Sequence, residues 1–163
     1  MFDLNFLSAY LDLIAVLRHP TIVAKISCES DELKWDTIEL LSPYIDWERL
    51  SQNPNLPDTF IQYFSHKVNW RLIVTHKKLD IEFIRNHLSA INKHWDAVSR
   101  FQNLDETAMR EFADLISWPL VSRYQKMSPA FIKEFKNRVN WPYIKKYQNV
   151  TSDFIKEMEP ADV

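Results

Sequence analysis

Three tripeptides recur at a fixed interval: Arg100-Phe101-Gln102, Arg123-Tyr124-Gln125 and Lys146-Tyr147-Gln148, each 23 residues after the one before. A base, an aromatic ring and an amide in register suggest one kind of chemistry. Helical repeat proteins that read RNA one base per unit place amides on base edges and flat groups against base faces. The same side chains also have a structural use. The ring can lie in a core, the glutamine can satisfy carbonyls at a turn, and the base can complement the dipole at a helix C-terminus. Earlier positions at this register read Gln52-Asn53-Pro54 and Thr75-His76-Lys77, which agree with no code.

The surroundings of these tripeptides are basic. Residues 119–150 hold Arg123, Lys126, Lys133, Lys136, Arg138, Lys145 and Lys146 against a single acid, Glu134, whereas residues 1–60 hold four basic and ten acidic side chains. The net charge of the chain is only -2, so this segregation is internal. Those seven bases, with Arg100 and the three glutamines Gln102, Gln125 and Gln148, form the candidate partner-binding set. A basic face suits phosphates or an acidic protein surface. An acidic region and a basic region in one chain also suit head-to-tail self-association.

Catalytic patterns are missing. His66, His76, His87 and His94 fall within one 29-residue window, but their spacing matches no metal-binding signature, and Cys28 is the only cysteine. His87 stands where other copies of the repeat have Phe, which reads as a packed histidine. The chain has no glycine, which removes phosphate-cradling loops and glycine turns together. No residue is assigned to catalysis, to a cofactor or to a metal, and the expectation is a protein that is not an enzyme.

The elements that position these residues follow from a second periodicity. Trp47, Trp70, Trp95, Trp118 and Trp141 are spaced 23, 25, 23 and 23 apart, each with an aliphatic three residues on: Leu50, Ile73, Val98, Val121 and Ile144. Further along come Phe60-Ile61, Phe83-Ile84, Ala108-Met109, Phe131-Ile132 and Phe154-Ile155 in register. Spacings of three and four are helical. Asp80, Asp105, Ser128 and Thr151 read as N-caps of the second helix in each copy. A tryptophan tied to an aliphatic in this way reads as core, and Trp35, which breaks the spacing, as the most exposed of the six. Two extra residues between Arg85 and His94 interrupt the period.

The pattern therefore predicts an all-α chain, a solenoid-like stack of short two-helix repeats. Residues 1–20 read as an N-terminal capping helix stopped by Pro20, residues 21–158 as five to six repeats with a degenerate first copy (Ile26, Leu33, Ile38, Leu41, Ile45), and residues 159–163 as a tail, in one domain of 1–163. No signal peptide and no run of about 20 apolar residues is present, which predicts a cytoplasmic protein away from membranes.

The register Val-Asn-Trp-x-x-Ile-x-x-Tyr-Gln-x-Val-x-x-x-Phe-Ile at 139–155 resembles the short tryptophan-containing tandem repeats of giant DNA viruses and large phages. The likeness spans roughly residues 33–158. It implies a helical repeat fold and a viral origin, and transfers no functional residue. Together these readings predict a non-enzymatic interaction protein that binds another protein, a host or virion component. The alternatives are nucleic-acid binding through 119–150 and self-assembly.

Overall fold

The computed structural model describes Glu39 and residues 42–158. The expected cap over 1–20, the degenerate first copy before Ser42, Cys28, Trp35 and the tail 159–163 lie outside the described residues. Two compact units divide the chain, 1–77 and 78–163. Every regular element among the described residues is helical.

In the first unit a 3-10 turn (Ser42–Tyr44) leads into α1 (Trp47–Ser51), α2 (Asp58–Tyr63) and α3 (Trp70–His76). Asp46 and Asn69 cap α1 and α3 by accepting from Arg49 N and Leu72 N. These bonds satisfy donors that a helix start leaves open. Trp47 packs against the next helix, with ring centroids 6.1 Å from Phe60 and 5.3 Å from Phe64. Leu50, Leu56, Phe60, Ile61, Phe64 and Ile73 are fully buried between them.

The second unit holds α4 (Ile81–Asn86), α5 (Leu88–Ile91), a 3-10 turn (Asn92–His94), α6 (Trp95–Phe101), α7 (Glu106–Glu111), α8 (Trp118–Tyr124), α9 (Pro129–Glu134), α10 (Trp141–Tyr147) and α11 (Ser152–Met158). The helices that open on tryptophan lie side by side, α6 beside α8 and α8 beside α10. Two of these tryptophans pack against the helix that follows. Trp118 meets Phe131 at 6.3 Å and Phe135 at 4.8 Å, and Trp95 meets Phe112 at 5.0 Å. The residues read as caps do cap: Asp80 accepts from Phe83 N, Asp105 from Ala108 N, Ser128 from Phe131 N and Thr151 from Phe154 N. Trp70, Trp95, Trp118 and Trp141 are buried and Trp47 is half-buried, as the core reading requires.

The absence of glycine shapes how the helices end. No described residue has a positive φ, so the left-handed glycine cap that normally satisfies the last carbonyls of a helix is not used. Instead α6, α8 and α10 end on Gln102, Gln125 and Gln148 in extended backbone. The open carbonyls are met from the next copy. Gln125 Nε2 donates to Ser99 O at 2.9 Å and Gln102 O at 2.8 Å, while its Oε1 accepts from Leu104 N at 3.0 Å. Gln148 repeats the arrangement on Ser122 O, Gln125 O and Met127 N. Gln102 Oε1 accepts from Leu79 N at 2.9 Å.

A second rung runs the other way. Ser51, Ser99 and Ser122, each 0% exposed, accept from the main-chain N–H of Asn69, Ser117 and Asn140, 18 residues on. A third is internal to each copy, the indole Nε1 donating to a carbonyl five residues earlier: Trp47 to Ser42, Trp70 to Ser65, Trp118 to Ala113 and Trp141 to Lys136. Trp95 is the exception. The two extra residues are absorbed by α5 and the turn Asn92–His94, and Trp95 Nε1 is buried with no acceptor among the described residues.

Candidate functional site

The eleven residues of the predicted binding set separate in space. Gln102 and Gln125 are 3% and 5% exposed and their amides are committed to main chain, so they present nothing to a base edge or any other partner. Gln148 is half-buried and engaged in the same way. Of the structural alternative, the glutamine part describes the fold and the aromatic part does not. Tyr124 and Tyr147 are 39% and 40% exposed.

These rings support cations instead. The Arg100 guanidinium lies 4.9 Å from the Phe101 ring centroid and 5.2 Å from that of Tyr124. Arg123 lies 5.0 Å from Tyr124, 5.7 Å from Tyr143 and 5.2 Å from Tyr147, and Lys146 Nζ lies 5.3 Å from Tyr147. The ladder thus runs Phe101, Arg100, Tyr124, Arg123, Tyr147, Lys146 across three copies. Cation and ring attract because the ring face is electron-rich, by about 0.5–1 kcal/mol at exposed sites. All three bases sit in the last turn of their helix, where the dipole favours them.

The arginines outside these helices behave differently. Arg85 makes a two-pronged pair with Glu111 (2.7 and 2.8 Å), Arg110 with Glu134 (3.1 and 2.8 Å), and Arg138 meets Asp114 at 2.8 Å. Arg110 also lies over Phe131 and Arg138 over Trp118. Donating hydrogen bonds to Glu111 and Glu134 raises the pKa values of Arg85 and Arg110, and accepting from Arg85 lowers that of Glu111. Ser128 N–H, aided by Arg110, lowers Glu106. These charges are matched within the fold. Among the described residues, Arg100, Arg123 and Lys146 have no carboxylate partner. The helices α6, α8 and α10 together carry Arg100, Arg123, Lys145 and Lys146 against one acid, Asp96.

Of the remaining candidates, Lys126 and Lys145 are exposed at this end of the helices, while Lys133, on α9, and Lys136, just after it, are exposed outside the ladder. Arg138 belongs to the matched set. Sequence reasoning missed Tyr143, the serine rung and the pairs at 24 to 26 residues. Three serines in register four residues after tryptophan were the available signal for the rung.

No family model, curated protein or solved structure matches the chain. Elsewhere in the second unit a cleft of about 600 Å³ is lined by Lys78, Leu79, Asp80, Ile81, Asn103 and Asp105. Both its carboxylates cap helices and Lys78 donates to the Phe101 carbonyl. Among the described residues no three His, Cys, Asp or Glu side chains gather in a way that could hold a metal ion, and no helix is long and apolar enough to cross a membrane. His87 stacks on Phe83 at 4.1 Å, with Nδ1 2.8 Å from Phe83 O, a packed histidine.

Proposed function

We propose that this chain is a non-enzymatic interaction protein, a solenoid-like stack of two-helix repeats that binds another protein through the face of α6, α8 and α10. The observation that carries it is the ladder of Arg100, Arg123 and Lys146, three cations held in register on aromatic rings with no carboxylate partner among the described residues. The glutamine and serine rungs support the stacked reading, since each links main chain of one copy to the next. A fold that matches Arg85, Arg110 and Arg138 internally leaves these three for something else. On the resemblance of 139–155 to repeats of giant DNA viruses and large phages, the partner is a host or virion component, met in the cytoplasm.

The test is affinity capture from nuclease-treated lysate with the full chain and two variants. Arg100→Ala/Arg123→Ala/Lys146→Ala is expected to lose bound protein, and Lys133→Ala/Lys136→Ala to retain it. Equal retention by both variants, or loss of all captured protein on nuclease treatment, would overturn the proposal.

A further inference from the structure

The ladder is specific enough to define what it takes. Resting on the interaction reading above, we infer that its occupant is an extended acidic peptide segment whose carboxylates seat on Arg100, Arg123 and Lys146 in turn.

Three observations lead there. The first is the matched and unmatched division of arginines. Arg85, Arg110 and Arg138 show how this fold treats a guanidinium that has a carboxylate nearby: it grips it at 2.7 to 2.8 Å. Arg123 has the same chemistry and lies over three tyrosines with no acid among the described residues. A ring contact leaves a guanidinium with N–H donors to offer, and those donors match a carboxylate in two-pronged geometry.

The second is spacing. Arg100 and Arg123 both lie within 5.2 Å of the Tyr124 centroid, and Arg123 and Lys146 within 5.3 Å of the Tyr147 centroid. Successive cations are therefore no more than roughly 10 Å apart, the reach of about three residues of extended chain at 3.3 Å each. Acids at every second or third position would meet them.

The third separates a peptide from nucleic acid. Single strands are bound by stacking bases on open aromatic faces and read by amides on base edges. Here Tyr124 carries two guanidiniums and Tyr147 a guanidinium and an ammonium, so the rings are already engaged. The amides of Gln102 and Gln125 are buried in main-chain bonds.

The experiment is fluorescence anisotropy on the full chain with three labelled probes: a 12-residue peptide with Glu at every third position and Gly-Ser between, the same peptide with Gln for Glu, and an oligothymidylate of equal charge. The Glu peptide is expected to bind at least tenfold tighter than the Gln peptide and the oligonucleotide, and to weaken with salt. Arg123→Gln should weaken it tenfold or more, Arg123→Lys by less, and Lys133→Gln/Lys136→Gln less than twofold. Equal binding of the oligonucleotide, or a Glu-peptide affinity indifferent to Arg123→Gln, would overturn the inference. If no probe binds but the triple ladder variant still strips protein in the capture assay, the acidic-peptide inference fails and the interaction reading stands. If the ladder variant strips nothing either, both fail.

Discussion

Gln125→Leu is the most direct probe of what joins neighbouring copies. The side chain is 5% exposed and makes three bonds to main chain: Leu104 N donates to it, and it donates to Ser99 O and Gln102 O. Leucine fills similar space but meets none of these groups. Each buried polar group left bare costs about 1–3 kcal/mol, so three groups at the lower end of that range give an expected loss of about 3 kcal/mol. Gln148→Leu removes the same three bonds at a half-buried site that water can reach, and should cost about 1 kcal/mol. Urea unfolding gives both values from the shift in midpoint at constant slope. Hydrogen exchange adds a local readout, since the Leu104 amide should lose protection in the Gln125 variant and keep it in the Gln148 variant. A Gln125 loss below about 1 kcal/mol, or the reverse order of the two variants, would refute the rung as a coupling element.

Three further outcomes are expected. Trp118→Ala should cost about 3–5 kcal/mol by urea unfolding, because the ring is 7% exposed and packs on Phe131 and Phe135. Trp95→Phe should cost about 1 kcal/mol less than Trp118→Phe, since the first removes a buried N–H that has no acceptor and the second leaves Ala113 O bare. Glu106 and Glu111 have folded pKa values below their unfolded ones, so each contributes stability that is present above about pH 4.3 and is lost as pH falls through the folded values. Acid titration of the thermal midpoint should therefore steepen below about pH 4.3 and flatten in Glu106→Gln/Glu111→Gln.

What was legible in the sequence was whatever depends on near neighbours along the chain. The tryptophan register, the caps at Asp80, Asp105, Ser128 and Thr151, and the packed His87 all involve contacts within one copy, where spacing fixes geometry. Partners 18 to 26 residues away were not legible by type. Arg110 and Arg123 look alike in sequence, yet one grips Glu134 and the other lies over tyrosines. The basic set of 119–150 accordingly divides into matched and unmatched members only once the copies are side by side. Gln125 was ambiguous for the same reason, because an amide reads as a recognition group until the carbonyls it serves are located. The two-residue insertion was visible, but its effect on Trp95 Nε1 follows from a displaced acceptor that no residue identity announces.

The glutamine rung has a consequence for how such a chain can change over evolutionary time. A side chain that binds a neighbour's peptide groups asks nothing of that neighbour's side chains. At this contact a segment carrying the glutamine can follow another whatever that neighbour's side chains are, while the serine of the preceding segment is still needed for the second rung. The residues before each glutamine do reach across, Arg100 to Tyr124 and Arg123 to Tyr147, so they change in pairs while the glutamine contact stays fixed. One contact is thus held by main chain and the other by side-chain identity.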